Sequence, residues 1–235
     1  MGVRGITSFI KKNLGACTMS IILEDVLLKK KLESHPSGPS LIVDGNSLAY
    51  HLYLKYAGKT GNILADYFEM FLKITSYLRG LQSLDMSLIF VFDGPFLPIK
   101  ARTKMERLYS QLSSVYQWSV EAVDNYKMDT SILSNIPPLF NIEVLVYAIS
   151  KLNLRIHFSC NEADYDIMKI ANENSPYAIL SHDSDFLFFD NSFDVHVIPF
   201  RWLEVNVPQN NSPTIARIIS KSKLASFVDI PYSVI

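Results

Sequence analysis

Residues 88–94 read LIFVFDG, an unbroken apolar run that ends in an aspartate and a glycine. A run of this length without polar alternation is typical of a strand that is covered on both faces. Residues 41–45, LIVDG, show the same pattern earlier in the chain. Further apolar runs at 154–158, 177–181 and 195–198 predict three more strands.

Helical patterns lie between these strands. The longer predicted helices cover residues 47–56, 63–81, 101–121, 140–152 and 162–174, and shorter ones cover 6–14 and 23–33. Residues 213–235 also show apolar residues at helical spacing. Apolar strands that alternate with helices predict an α/β fold: a central, mainly parallel sheet with helices on both faces and right-handed crossovers.

The composition excludes several classes of protein. The 235 residues are 49% apolar and 12% aromatic, and the net charge is −1, so a globular core is expected and nucleic-acid binding must depend on local charge. Cys17 and Cys160 are too few for a disulfide framework. No signal peptide and no apolar run of about 20 residues is present, so we expect a nuclear or cytoplasmic protein, with the nucleus favoured, that is not secreted and has no membrane partner.

Acidic residues follow the predicted strands. They are Asp44, Asp93, Glu162, Asp164, Asp183 and Asp185. Ligands of parallel α/β sheets bind at the carboxyl ends of the strands, so we expect these carboxylates to meet there. Six carboxylates together would raise one another's pKa values unless a cation compensates them. All-oxygen ligands favour Mg²⁺ or Mn²⁺, and two such ions about 4 Å apart suit in-line attack on a phosphodiester.

Each carboxylate also has a purely structural explanation. An Asp-Gly pair after a strand is a common turn, and acidic residues commonly begin helices. Other enzyme classes lack their motifs in this sequence. No G-x-G-x-x-G follows a strand and no P-loop is present, so no small-molecule cofactor is expected. No nucleophile-elbow serine or cysteine is present either.

A basic segment follows Asp93. It contains Lys100, Arg102, Lys104 and Arg107, and on a helix residues 100, 104 and 107 share one face. Beside a metal site, that face would bind the scissile phosphate, although an ordinary solvated helix face explains the same pattern. Tyr50, six residues after Asp44, is a core residue or a platform for stacking a terminal base.

Five motifs in this order resemble the flap endonuclease/XPG superfamily, and its Asteroid branch most closely. They are MGVRGI at 1–6, VDG at 43–45, FDG at 92–94, EAD at 162–164 and SHDSD at 181–185. The segment CNEADYDIM at 160–168 and the short link around 124–140 carry the likeness to the Asteroid branch.

The resemblance implies a PIN-like nuclease domain that cuts flapped, branched or overhanging DNA with two divalent metals. By position, the six carboxylates are the metal ligands. Lys100 and Arg107 are the catalytic phosphate-binding pair, and Tyr50 is the base-stacking residue. Gly2 is the small N-terminal residue near the DNA, and Arg102 and Lys104 extend the nucleic-acid surface. The expected partners are DNA with single-strand/double-strand junctions and repair-complex proteins.

The resemblance also implies differences from the family. Members carry a later aspartate and a helical DNA-gripping element that would follow residue 235, and their residue at the position of Asp164 is usually glutamate. We therefore expect residues 1–235 to form a single nuclease domain without that element, with an incomplete second metal site. The alternative function is a catalytically weak or inactive PIN-like scaffold that binds nucleic acid or protein partners.

Overall fold

A computed structural model describes residues 6–26, 39–56, 66–95, 101–125, 137–138, 140–189, 196–205 and 213–228. Its strands are β1 Thr18–Ile22, β2 Ser40–Asp44, β3 Ser87–Phe92, β4 Arg155–Phe158, β5 Ala178–Leu180, β6 His196–Ile198, β7 Leu203–Glu204 and β8 Ile215–Ser220. Its helices are α1 Ile6–Lys12, α2 Leu14–Cys17, α3 Gly45–Tyr56, α4 Tyr67–Gln82, α5 Ala101–Asn125, α6 Asn141–Lys151, α7 Ala163–Asn174 and α8 Lys221–Val228.

The strands form one mixed sheet in the order β1-β8-β6-β5-β2-β3-β4, with β7 also paired to β8. The five strands from β6 to β4 in this order are mutually parallel, and β8 pairs antiparallel with β1, β6 and β7. The predicted α/β class with a mainly parallel sheet is therefore confirmed. The register places Asp44 opposite Val91, so the ends of β2 and β3 lie side by side.

Both faces of the sheet are covered, as the unalternating apolar runs predict. On β3, Leu88, Phe90 and Phe92 contribute to one core cluster, together with helices α3, α4 and α6. Ile89 and Val91 contribute to a second cluster on the opposite face, together with α1, α7 and α8. Successive side chains of a strand point to opposite faces, so an unbroken apolar run supplies both cores.

The Asp-Gly pairs after β2 and β3 have a steric cause. A Cβ atom on Gly45 would collide with the Phe92 ring, and one on Gly94 would collide with the carbonyl oxygen of Ser159. Glycine is the residue that permits such a close approach of backbone to its neighbours. The two glycines thus allow β2, β3 and the segment after β4 to end close together.

The prediction for residues 213–235 is wrong in its first part, because residues 215–220 form strand β8 and only 221–228 are helical. Ile215, Ile218 and Ile219 are β-branched, and Ile218 and Ile219 are buried. Pairing with β1 and β6, which are distant in sequence, overrides the helical spacing. Strand β1 was not predicted at all. Of the predicted helix 23–33, residues 23–26 are helical and residues 27–33 lie outside the described part.

Among the described residues, no helix combines the length and the apolar character that a bilayer crossing requires.

Candidate metal and nucleic-acid site

Four of the candidate carboxylates lie at the ends of neighbouring strands or begin the helix that follows one. Asp44 is the last residue of β2, and Asp93 directly follows β3. Glu162 is the residue before α7 and Asp164 lies in its first turn. Because β2, β3 and β4 are adjacent and parallel, these residues share one rim of the sheet.

Asp44 is held by two hydrogen bonds. Its Oδ1 atom accepts from the Ser47 backbone N–H at 3.0 Å, and its Oδ2 atom accepts from the Ser181 hydroxyl at 2.7 Å. Asp44 is 8% exposed. Burial raises its pKa to about 6; the two hydrogen bonds oppose this shift, and the charges of Asp93 and Asp183 add to it.

Asp93 joins the end of β3 to the start of α7. Its Oδ1 atom accepts a hydrogen bond of 2.8 Å from the backbone N–H of Ala163, the first residue of α7. Its own backbone N–H donates to the Asn46 side-chain oxygen at 3.0 Å. A carboxylate at a helix N-terminus satisfies an otherwise unpaired amide and is favoured by the helix dipole. Asp93 therefore has a structural role that also fixes where Asp164 lies.

Asp183 follows β5 and lies in a turn that is tied to the same rim. Its backbone N–H donates to the Ser181 hydroxyl at 3.0 Å, and its Oδ1 atom accepts from the Asp185 backbone N–H at 2.9 Å. The Ser181 hydroxyl thus bridges the side chain of Asp44 and the backbone of Asp183.

The electrostatic coupling is strongest at Asp164. Burial, and after it the charges of four other carboxylates, together raise the pKa of Asp164 to about 6; these carboxylates are Asp183, Asp44, Asp93 and Glu162. The charges of four predicted ligands therefore act on a fifth, Asp164. Asp185 begins a 3-10 turn, and its charge is not among those that raise the pKa of Asp44 or Asp164.

Carboxylates whose charges raise the pKa values of Asp44 and Asp164 suit a divalent cation, and their oxygen donors suit Mg²⁺ or Mn²⁺. Within the described residues, however, no three His, Cys, Asp or Glu side chains are arranged as a ready ligand group. The carboxylates are coupled by their charges but are not drawn together at coordination distances. The two-metal site remains a prediction for all six residues.

The structure describes only some of the residues that were predicted to contact nucleic acid. Tyr50 lies on the second turn of α3 and is 40% exposed, as a stacking residue requires. Arg102 and Arg107 are exposed on α5, and Arg102 Nε contacts Glu106 Oε1 at 3.0 Å. Gly2, Lys100 and the side chain of Lys104 lie outside the described part of the chain. The roles of these residues stay predictions.

A pair of histidines that the sequence does not predict lies beside the carboxylates. His182 Nε2 lies 3.3 Å from His51 Nδ1, and both rings pack against Phe200. Burial lowers the pKa of each ring to about 4, with a further contribution from His182 at His51 and from Arg201 at His182. His51 and His182 are 131 residues apart, so no spacing in the sequence reveals this pair.

A cleft of about 710 Å³ opens where α7 begins, and its lining includes Glu162, Asp164, His157 and Asp166. Asp166, which is not one of the six predicted ligands, forms a 2.8 Å contact with the His157 ring. The Asp166–His157 hydrogen bond holds the pKa of Asp166 below its usual value. Asp166 therefore pairs locally and does not contribute its charge to the coupled carboxylates.

No protein-family model matches the chain. The chain is 26% identical over 208 residues to "Protein asteroid" of Drosophila melanogaster, which covers 88% of this chain and 21% of that protein. It is 25% identical over 215 residues to "Single-strand DNA endonuclease ASTE1" of Mus musculus, covering 88% and 27%. It is 23% identical over 198 residues to "Constitutive coactivator of peroxisome proliferator-activated receptor gamma" of Bos taurus, covering 81% and 27%. The chain thus spans about a quarter of the length of these curated relatives.

Two groups of solved structures share the fold. The catalytic core of Rad2 in complex with DNA substrate superposes with a TM-score of 0.56 at 13% identity, covering 98% of this chain and 59% of that one. The Holliday junction-resolving enzyme GEN1 with product DNA and Mg²⁺ superposes with a TM-score of 0.53 at 17% identity, covering 96% of this chain and 41% of that one. The resemblance to the Asteroid branch and the PIN-like fold are both confirmed by these comparisons.

Proposed function

We propose that this chain, similar to the Asteroid branch, is the nuclease domain of a divalent-metal-dependent, structure-specific DNA endonuclease. The observation that carries the proposal is the coupling of five carboxylates from three neighbouring strand ends and one helix start. Such a set is costly for a fold to maintain unless a cation uses it. The name of the Mus musculus relative, a single-strand DNA endonuclease, supports the same class of reaction.

The residues have distinct tasks in this proposal. Asp44, Asp93, Glu162, Asp164, Asp183 and Asp185 would hold Mg²⁺ or Mn²⁺, with the second ion bound less completely. Two bound cations would supply activation of the attacking water and stabilisation of the leaving oxygen. The hydroxyl of Ser181 orients Asp44, and the helix-capping bond of Asp93 fixes Asp164. Lys100 and Arg107 would bind the scissile phosphate and its developing charge.

DNA with single-strand/double-strand junctions is the proposed substrate, in flap, branched or overhang form. The exposed ring of Tyr50 would stack on a base near the junction, and Gly2, Arg102 and Lys104 would contact the backbone. Repair-complex proteins are the proposed protein partners, and the nucleus is the proposed site of action. The Rad2 and GEN1 structures that share this fold were determined with DNA, which supports a DNA substrate.

A non-catalytic scaffold is the second candidate function. Two observations favour it: no three described side chains form a ready metal-ligand group, and one relative is a coactivator by name. Such a domain would retain the fold and bind nucleic acid or protein, but it would not cleave.

One experiment distinguishes the nuclease from the non-catalytic scaffold. The purified chain is incubated with labelled hairpins, flaps and overhangs in Mg²⁺, Mn²⁺ or EDTA, and its thermal unfolding is followed across a Mn²⁺ titration. Cleavage that EDTA abolishes, with a midpoint that rises with Mn²⁺, supports the nuclease. DNA binding without cleavage and without a Mn²⁺-dependent midpoint supports the scaffold.

A further inference from the structure

The cleft at the start of α7 lies along an edge of the sheet. Among the described strands, β4 is the last in the sheet order and pairs only with β3. One wall of the cleft is α7, where Asp166, Lys169 and Glu173 lie three and four residues apart and so share one helical face. The other wall is β4, where Arg155 and His157 are two residues apart and so point to the same side of the sheet. Side chains from a helix and a strand therefore line the cleft.

One end of the cleft is continuous with the proposed metal site, because Glu162 and Asp164 line the cleft as well. The volume of about 710 Å³ lies within the range of small-ligand sites, which is about 300–1,000 Å³. A nucleotide next to a phosphate held at Glu162 and Asp164 would therefore have room to place its base in the cleft.

Tyr165 presents an aromatic ring at this end of the cleft. It lies in the first turn of α7, lines the cleft and is 71% exposed. In the part of the chain that the structure describes, its ring packs against no other aromatic ring and no cation. An exposed aromatic ring of this kind is a platform on which an unpaired base can stack.

The charges of the cleft suit a base better than a second phosphate. Glu162 and Asp164 are assigned to the metal in the proposed function. The other charged residues that line the cleft are two basic and two acidic ones, namely Arg155, Lys169, Asp166 and Glu173. Such a balanced set gives little net attraction for a phosphate, whereas the amino groups and ring nitrogens of a base can bond to both kinds of side chain.

His157 adds a hydrogen-bonding group of fixed orientation. Its Nε2 atom lies 2.8 Å from Asp166 Oδ2. An ionised carboxylate only accepts hydrogen bonds, so Nε2 carries the proton and donates it. In the neutral ring the other nitrogen, Nδ1, is then an acceptor. The Asp166–His157 pair thus offers the cleft an acceptor that suits the amino group of a base.

We propose that this cleft is a subsite for one unpaired nucleobase, which stacks on Tyr165 and is hydrogen-bonded at its edge by the cleft walls. The proposal rests on the proposed function in one respect, because it takes Glu162 and Asp164 as the place where the neighbouring phosphate is held. A base inside a duplex is already paired and stacked on both faces, and its removal from the stack is costly. The subsite therefore favours a strand that is unpaired next to the scissile bond. It is separate from Tyr50, which lies on α3.

The test is the affinity for a fluorescein-labelled single strand of about 12 nucleotides, measured by anisotropy in Ca²⁺, with a gel to verify that the strand stays intact. We expect Tyr165→Ala to weaken binding about 5- to 100-fold, the range for loss of one base–aromatic stack. Tyr165→Phe retains the ring and should bind like the wild type. The control is Tyr147→Ala, because Tyr147 is 54% exposed on α6, which covers the opposite face of the sheet. The affinity for a blunt duplex should not change in any variant.

An abasic series identifies the bound base. Single strands that lack one base at a time are titrated against the wild type and Tyr165→Ala. At one position, loss of the base should weaken binding by the wild type but not by Tyr165→Ala, because both changes remove the same contact. Equal losses in the two proteins at every position overturn the proposal.

The subsite and the nuclease fail in different ways. Tyr165-dependent binding supports the subsite even if the wild type cuts nothing in Mg²⁺, a result that would count against the nuclease alone. Cleavage in Mg²⁺ together with single-strand binding that Tyr165→Ala leaves unchanged overturns the subsite and retains the nuclease. Absence of single-strand binding by the wild type also overturns the subsite.

Discussion

The hydroxyl of Ser181 donates a hydrogen bond of 2.7 Å to the Oδ2 atom of Asp44, from 137 residues further along the chain. Ser181 is fully buried and Asp44 nearly so. A hydrogen bond to the charged form of a buried carboxylate favours ionisation and so opposes the effect of burial. This contact therefore keeps Asp44 closer to the ionised state that metal binding requires.

Ser181→Ala should destabilise the fold and raise the pKa of Asp44. The variant leaves Asp44 Oδ2 and the Asp183 backbone N–H without their common partner, at a cost of about 1–3 kcal/mol in the free energy of unfolding. Denaturant unfolding at pH 7.5 measures the stability, and carboxyl NMR titration measures the pKa. Ser159→Ala, directly after the edge strand β4, is the control that should leave the Asp44 pKa unchanged.

Asp183→Asn should abolish cleavage without unfolding the protein. The asparagine oxygen can still accept from the Asp185 backbone N–H, so the turn is retained. Removal of this charge also relieves repulsion at Asp164 and Asp44, so the metal-free variant should be as stable as the wild type or slightly more so. The measurements are flap cleavage in Mg²⁺ and thermal unfolding in EDTA.

Asp85→Asn is the matched control, because Asp85 lies at the opposite end of β3 and is exposed. Asparagine tolerates its positive φ of 53°. This control should cleave normally. If Asp183→Asn cleaved as fast as the wild type, Asp183 would not be a metal ligand.

Asp164→Asn should stabilise the metal-free protein at neutral pH. The pKa of Asp164 rises from 3.8 to about 6 on folding, so the folded state binds the proton more tightly than the unfolded chain. Its stabilising contribution is therefore present below about pH 4 and is lost as the pH rises through 6. We expect a gain of about 1–2 kcal/mol at pH 7.5 and little change at pH 4. An equal change at both pH values would show that the effect is not electrostatic.

His51→Asn tests a contribution to the free energy of unfolding whose pH dependence is opposite in sign to that of Asp164. The pKa values of His51 and His182 fall from 6.5 to about 4 on folding, so the unfolded chain binds protons that the folded state does not. Their contribution is fully present above pH 6.5 and is lost as the pH falls towards 4. As the pH rises from 4 to 6.5, the two histidines therefore increase the free energy of unfolding of the wild type, whereas Asp44 and Asp164 decrease it. In His51→Asn one of the two increasing contributions is lost, so the free energy of unfolding should decline more steeply than in the wild type as the pH rises from 4 to 6.5.

Lys100→Ala and Arg107→Ala should each slow cleavage more than they affect folding. Loss of one charge-assisted hydrogen bond to phosphate costs roughly 1–3 kcal/mol, which corresponds to about 5- to 150-fold in kcat/KM. Arg79→Ala, at the exposed C-terminal end of α4, is the control for general loss of positive charge. Normal kcat/KM with reduced thermal stability would instead assign Lys100 and Arg107 to ordinary salt bridges.

The sequence by itself determined the parallel part of the sheet. The apolar runs at 41–45 and 88–94 carry enough β-branched and aromatic side chains to pack against both faces of the sheet. Such a continuous apolar run is typical of a parallel strand that is buried on both faces. The rim position of Asp44, Asp93, Glu162 and Asp164 follows from the same pattern, since side chains at the ends of adjacent parallel strands are necessarily neighbours. Five ordered motifs were likewise sufficient for the resemblance to the Asteroid branch.

Only the tertiary structure decided which residues touch across the chain. Strand β8 overrode a helical spacing because its hydrogen-bond partners, β1 and β6, are supplied by distant segments. The His51–His182 pair, the Ser181–Asp44 bond and the capping of α7 by Asp93 all join residues 70 or more positions apart. Local sequence encodes backbone preference and burial, whereas pKa values and hydrogen bonds depend on which side chains folding brings within a few ångströms.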